Sequence, residues 1–250
     1  MLQRQTVRSG NRILDALPDD ASKRLEGALS PVNLRLATVL WEPGQRVEAV
    51  YFPVEGVISL VTPLEGGGSV EVATIGNEGI VGVPTVLGGG LATLRAVAQV
   101  SGWSLRMELP AFHHELRRGG AFNSLVQNYV PALFSQIAQA AGCNRLHSNE
   151  ERLSRWLLMS HDRVGADRFE ITQEFLAQML GSRRATVTVS AGILQKAGLI
   201  SYHRGHMVIV DRERLEAASC ECYGVIKREL DEVIERALRS AWEQPEASPA

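Results

Sequence analysis

Residues 176–200 read LAQMLGSRRATVTVSAGILQKAGLI. Helix-spaced apolar residues, Phe175, Leu176, Met179 and Leu180, run into Gly181; two adjacent arginines follow, and then Thr186, Val187, Thr188 and Val189 alternate as a strand would. Thr172 is placed to cap a first helix, Gly181 to end it and Ser182 to cap a second. Two helices joined by a tight glycine turn make a helix-turn-helix, whose second helix enters the DNA major groove. The alternation then becomes one helix face: Val187, Ala191 and Leu194 turn inward, while Thr186, Thr188 and Ser190 face the groove or backbone.

On this reading Arg183 and Arg184 occupy the first turn of the second helix, where the macrodipole disfavours cations by about 0.3–1 kcal/mol each. A structural role would not choose arginine there. Presenting guanidinium groups to phosphate oxygens or to guanine O6 and N7 would. Residues 182–210 hold four Lys or Arg and no Asp or Glu. After Gly198, LISYHRGHMVIV reads as two strands around a basic hairpin tip, a wing. The candidate DNA contacts are therefore Thr172, Gln173, Ser182, Arg183, Arg184, Thr186, Thr188, Ser190, His203 and Arg204. The competing reading is a helix-turn-helix that serves as a protein-interaction surface in a ligand-binding module.

Upstream, Ser148 and Glu151 form a capping box that starts a helix ending at Gly165, so a domain boundary falls near His147. Before it, Phe122, Val126, Tyr129, Leu133, Ile137 and Ala140 fall at spacings of four, three, four, four and three, a single apolar stripe on one long helix. The small residues of IAQAAG let a second helix approach closely. This stripe is expected to be the seam of a homodimer, because so long a helix outruns a small barrel; burial against its own barrel is the alternative. Pro131 should either bend this helix or mark its true start.

Further upstream, residues 34–107 consist of short apolar runs (LRLATVLW, AVYFPV, GVISLVTP, SVEVATIG, GIVGVP, LRAVAQV and WSLRM) separated by glycine-rich turns. Regular short strands of this kind predict an antiparallel sandwich or barrel. The fold class is thus α+β: a β-roll over 1–120, a dimerisation helix over 121–147, a winged helix-turn-helix over 148–212, and a C-terminal helix and tail over 213–250. In that last segment Leu215, Ala218, Cys222, Val225, Leu230, Val233 and Ile234 make the apolar side of a single amphipathic helix. Its partner is either its own domain or the dimer interface.

Composition limits the alternatives. With 45% hydrophobic and 22% charged residues and a net charge of −2, the chain should bury a core, and any surface for a polyanion must be local. The N-terminus carries charges where a secretory apolar region would sit, and the uncharged candidate for a membrane span, the sixteen residues between Glu78 and Arg95, contains five glycines and a proline. A cytoplasmic protein with no membrane span is expected. Cys143, Cys220 and Cys222 show no disulfide pattern. Cys220 and Cys222, two apart in a helical pattern, point to nearly opposite sides and are read as ordinary thiols, a redox or metal role being the alternative, and no metal ligand is assigned. A cupin-type metal enzyme would need histidines on the strands, and none precedes His113. Nor is there a nucleophile motif or Walker loop, so no catalytic residue is assigned.

A glycine-punctuated β-roll, a long helix, TQEFLAQMLGSRRATV…LQKAGLI and a wing, in that order over roughly residues 12–212, resemble the Crp/Fnr family of bacterial transcription regulators. The resemblance implies a homodimer on palindromic double-stranded DNA, an effector in the β-roll, and RNA polymerase as a further partner. It matches Arg184 to an arginine that reads guanine and Thr186 to a backbone-contacting threonine. Ala185 and Val189 stand where the family's cyclic-AMP receptors carry charged base readers, so the half-site should differ from theirs.

The family's phosphate-binding cassette corresponds here to IVGVPTVLGGGLATLRAVAQ. Gly82 is present and Arg95 stands for the phosphate arginine, with Ala96 beside it, but Val83 replaces the glutamate that holds the ribose hydroxyl. On the long helix, beside Leu133, Ile137 and Ala138 replace the hydroxyl residues that would meet the base. Gly82, Val83, Arg95, Ala96, Leu133 and Ile137 remain the candidate effector contacts, with the effector unknown and cyclic AMP argued against. An iron–sulfur form needs cysteines near the N-terminus, whereas the first here is Cys143. His113 and His114 are read as a surface pair and not as haem ligands.

Overall fold

In the computed structural model, residues 8–66, 68–82 and 89–243 are described, with the side chains of 240–243 left aside. Two short helices, α1 (Arg12–Asp15) and α2 (Asp19–Glu26), lead into seven strands: β1 (Leu29–Leu34), β2 (Val39–Trp41), β3 (Ala49–Pro53), β4 (Val57–Pro63), β5 (Ser69–Ile75), β6 (Arg95–Val100) and β7 (Gly102–Glu108). They pair antiparallel into two sheets, ordered β1-β7-β3 and β2-β6-β4-β5. Val50, Phe52, Ile58, Leu60, Ala98 and Met107 fill the core of this roll. A close backbone approach fixes Gly102: a Cβ there would lie 2.4 Å from the Glu55 carbonyl.

Two of the expected strand runs behave differently. LRLATVLW is broken: Leu34 ends β1, a turn with Ala37 at φ 63° follows, and β2 begins at Val39. GIVGVP contributes, among the described residues, an isolated bridge from Val81 to Tyr51, and its residues Val83 and Pro84 lie outside them. Gly79 and Gly82 flank the bridge, and glycine weakens a strand interior, so turn chemistry overrides apolar composition there.

Helix α3 (Leu109–Arg118) leads to α4 (Gly120–Leu146), 27 residues long. Pro131 lies inside α4 without ending it, on its exposed side, where water can take the carbonyl that proline leaves unbonded. The apolar stripe expected to be a dimer seam is covered by the chain itself. Phe122, Val126, Tyr129, Leu133 and Ala140 are buried and Ile137 is half-buried. Phe122 stacks edge-on against Phe112 and near Phe52, and the Tyr129 hydroxyl sits over Gly79. The alternative reading, burial against its own roll, is what the structure has.

Helix α5 (Asn149–Val164) opens on the Ser148–Glu151 capping box and closes on Gly165 in the left-handed conformation. Then come β8 (Arg168–Glu170), α6 (Gln173–Leu180), α7 (Arg184–Lys196), and the hairpin β9 (Ile200–His203) and β10 (His206–Ile209), in a sheet ordered β8-β10-β9. The C-terminal segment is two helices and not one: α8 (Arg212–Ala217) and α9 (Cys222–Glu243), with a break over 218–221. Cys222 accepts a hydrogen bond from Gln139, while Ala237 lies with Ser124, Leu125 and Asn128. Helix α9 therefore runs antiparallel along α4 and covers a second of its faces.

Candidate nucleic-acid interface

The helix-turn-helix is built by local chemistry. The Thr172 hydroxyl accepts from Phe175 N at 3.1 Å and starts α6. Gly181 (φ 57°) ends it, and Ser182 N donates back to Ala177 O at 2.9 Å. A Cβ on Gly181 would be strained and would sit 3.0 Å from Val70 of β5. Ser182 does not cap α7. Its hydroxyl donates to Asn149 Oδ1 at 2.7 Å, tying the turn to α5, and Arg183 takes the N-cap position with no side-chain cap bond.

On α7, Val187, Ala191 and Leu194 are buried as expected, and Ser190 joins them at 1% exposure, donating to Glu150 Oε1 at 2.7 Å. Its assignment to the groove face is overturned. Ser190 lies three residues after Val187, one helical step that returns it to the inward face, and its hydroxyl needs a buried acceptor there. Thr186 is half-buried. Thr188 is exposed, but its hydroxyl is held by Gln173 Oε1 and Arg184 O, both at 3.0 Å, so it links the starts of α6 and α7.

The outer face of α7 carries Arg183, Arg184, Ala185, Thr188, Val189 and Ile193. Val189 and Ile193 are 62% and 48% exposed. Ile193 was not singled out from sequence; its spacing of four from Val189 and eight from Ala185 was the available signal. Arg183, Arg184, Lys196 and Arg204 make no ion pair among the described residues. At the wing tip, Arg204 (φ 49°) and Gly205 (φ 85°) form a two-residue turn between His203 and His206. His203 and Arg204 are exposed. Burial pushes the Tyr202 hydroxyl of β9 up while the nearby Arg184 charge pulls it back, so the start of α7 and the wing share one electrostatic neighbourhood.

This unit is seated on the roll through polar contacts. Arg163 Nε donates to Glu78 Oε1 at 2.8 Å, the two side chains only 5% and 8% exposed, and its other nitrogens reach Met159 O and Thr74 O. Trp156 Nε1 donates to Glu71 Oε1 at 3.0 Å, and Gln178 Nε2 to Ser69 Oγ at 2.7 Å. Burial pushes the Glu71 carboxyl up to about 7, against the Ser59 hydroxyl, the Arg155 and Arg163 charges and the Trp156 donor. Ser59 Oγ lies 2.6 Å from Glu71 Oε2 and 2.5 Å from Gln99 Oε1. The Ser59 hydroxyl faces both acceptors and shares its one proton between them.

The effector candidates sit in different settings. Ala96 and Leu133 are core side chains, so neither offers a surface to a ligand, and Ile137 is half-buried. Gly82 (φ 117°) packs against Val50, where a Cβ would meet Val50 Cγ1 at 2.8 Å. Val83 lies outside the described residues. Arg95 is engaged by Glu42, with Nε at 2.9 and 2.8 Å from the two carboxylate oxygens and Nη2 at 2.7 Å.

A roll of the cyclic nucleotide-binding kind, one long helix and a winged helix-turn-helix define a transcription-regulator architecture. The sequence model of the cyclic nucleotide-binding domain matches residues 31–118, and that of the Crp-like helix-turn-helix domain matches residues 151–218. The chain belongs to the Crp/Fnr family. Its fold is similar to that of FixK2 from Bradyrhizobium japonicum (15% identity, TM-score 0.66, 77% of this chain and 98% of that one). It is also similar to a putative Crp/Fnr-family regulator from Eubacterium rectale (16%, 0.65, 84% and 99%). A third likeness is to the c-di-GMP responsive global regulator CLP of Xanthomonas campestris (12%, 0.62, 77% and 99%). At these identities the likeness speaks for the fold alone. No curated protein matches the chain.

Proposed function

We propose that the chain is a sequence-specific DNA-binding transcriptional regulator acting as a homodimer on a palindromic site. One observation carries the reading: Arg183 and Arg184 are exposed and unpaired at the start of α7, where the helix field works against them. DNA supplies the missing counter-charge. Arg184 reads guanine, Arg183 and the wing residues His203 and Arg204 meet phosphates, and Ala185, Val189 and Ile193 offer an apolar ridge suited to thymine methyl groups.

The dimer seam in this reading is the open face of α4 and not the stripe proposed from sequence. At about 100° per residue, Phe134, Ala138, Ala141 and Arg145 lie roughly 100–160° around the helix from Phe122 and Ala140 of that stripe. Phe134 and, at the helix end, Leu146 are 71% and 78% exposed. The small Ala138, Ala141 and Gly142 between them allow close helix approach. An effector signal would pass from the roll through the Glu71–Trp156 and Glu78–Arg163 contacts. With Arg95 held by Glu42, cyclic AMP is not the expected effector. No helix among the described residues is long and apolar enough to cross a membrane.

Titrating the purified protein with DNA, with and without cyclic AMP, tests this. Binding without the nucleotide and a footprint of two half-sites about one helical turn apart are expected. Phe134→Asp should elute as a monomer and lose the palindrome. A dimer that binds no DNA at low salt would instead make the helix-turn-helix a protein-interaction surface.

A further inference from the structure

Cys143 and His147 lie four residues apart at the end of α4, on one helix face, and the break over 218–221 lets Cys220 and Cys222 turn toward them. The ligand atoms of these four residues all lie within 4.8 Å of one another. Cys143 Sγ is 3.6 Å from Cys220 Sγ, and Cys222 Sγ is 3.5 Å from His147 Nδ1. A tetrahedral zinc ion, with Zn–S about 2.3 Å and Zn–N about 2.0 Å, separates its ligand atoms by about 3.5–3.8 Å. We propose that Cys143, His147, Cys220 and Cys222 form a tetrahedral zinc site that fastens the end of α4 to the start of α9.

Three surroundings support an ion over merely packed thiols. The far nitrogen of the imidazole, His147 Nε2, lies 3.2 Å from Glu221 Oε2, the carboxylate partner that metal-bound histidines commonly have. Gln139 Nε2 donates to Cys222 Sγ at 3.1 Å, as amides do to thiolates. A divalent ion with three thiolates and a neutral imidazole carries one net negative charge. Arg152 and Arg155 are buried close by, make no ion pair among the described residues, and each leaves Nε without a hydrogen-bond partner. Buried guanidinium groups need such a counter-charge. The four donors lie too close together to surround a cluster of several iron atoms, and a mix of thiolates with one imidazole suits zinc. The site adjoins Ser148, the cap of α5, so a bound ion would stiffen the joint between the long helix and the DNA-reading unit.

The test uses the full chain, stripped by chelator under reducing conditions and then given zinc or cobalt(II) chloride. One zinc per chain should survive gel filtration. The cobalt form should show thiolate charge transfer and the intense d–d bands of tetrahedral coordination, both bleached by added zinc. His147→Ala and Cys222→Ser should weaken binding at least about tenfold, and Glu221→Gln, outside the first sphere, about tenfold. Should either ligand variant fail to fold, the cobalt spectrum of the unaltered chain decides alone. No retained zinc, an octahedral cobalt spectrum, an iron–sulfur absorption band, or a Cys143–Cys220 disulfide re-forming in preference to zinc uptake would each overturn the proposal.

Discussion

Helices α5 and α7 are neighbours, yet the arginines along α5 and those at the start of α7 are used in opposite ways. On α5, Arg152, Arg155 and Arg163 are buried. Arg163 is fully engaged, by Glu78 and two backbone carbonyls, and Arg152 bonds Asn144 and the carbonyl of Leu180. On α7, Arg184 and, at its N-cap position, Arg183 are exposed and make no ion pair among the described residues. A buried guanidinium must find acceptors within the fold, because desolvation makes an unpaired charge costly. An exposed one at an unfavourable helix end contributes nothing to the fold, so its role lies with what approaches it.

That contrast can be broken most forcefully at Arg163. Arg163→Met leaves Glu78 buried and unpaired and should lower unfolding free energy by about 3–5 kcal/mol in denaturant titrations, with much of it restored by adding Glu78→Leu. If the single variant is as stable as the parent, the two helices do not differ as argued. Next, Arg184→Ala should leave stability within about 0.5 kcal/mol. It should cost about 1–3 kcal/mol on the cognate site and relax the preference at one base pair, whereas Arg183→Ala should weaken all sequences alike and reduce the salt slope by about 1. Equal losses on specific and random DNA for both variants would remove that division of labour.

The smallest effect is at Glu71, between the two regions. Its carboxyl is raised from 4.5 to about 7, so the folded state binds the proton more tightly than the unfolded chain. Between those values the native state holds more protons, and stability should fall as pH rises through that window. Below it both states are protonated and above it both are ionised. Glu71→Gln should flatten that part of the stability profile, and an unchanged slope would show that Glu71 is ionised throughout.

The helix-turn-helix was legible because its signals are local: Thr172, Gly181, Ser148 and Gly165 each act on a backbone a few residues away. The antiparallel roll was legible in outline from its glycine punctuation. The stripe from Phe122 to Ala140 said truly that one face of α4 is buried, but periodicity cannot say against what. Ser190 was misplaced because a serine suits a groove and a buried hydrogen bond equally well, and only Glu150 on another helix decides. The four metal-ligand candidates do not show as a group in the sequence, since 77 residues separate Cys143 from Cys220 and the apolar spacing runs through 218–221 as if the helix were unbroken. Contacts made at long range leave no short-range pattern.

The antiparallel seat of α9 on α4 bears on how the chain comes together. The ion pair between Arg12 and Asp231 joins partners 219 residues apart, and α9 follows every other described element. Contacts of such high sequence separation form late and slow a fold's completion. During synthesis the roll and the winged unit emerge first, with the flank of α4 that faces α9 still bare. Until the final helix arrives, that apolar flank is open to other chains, and the nascent protein should depend on chaperones most at that stage.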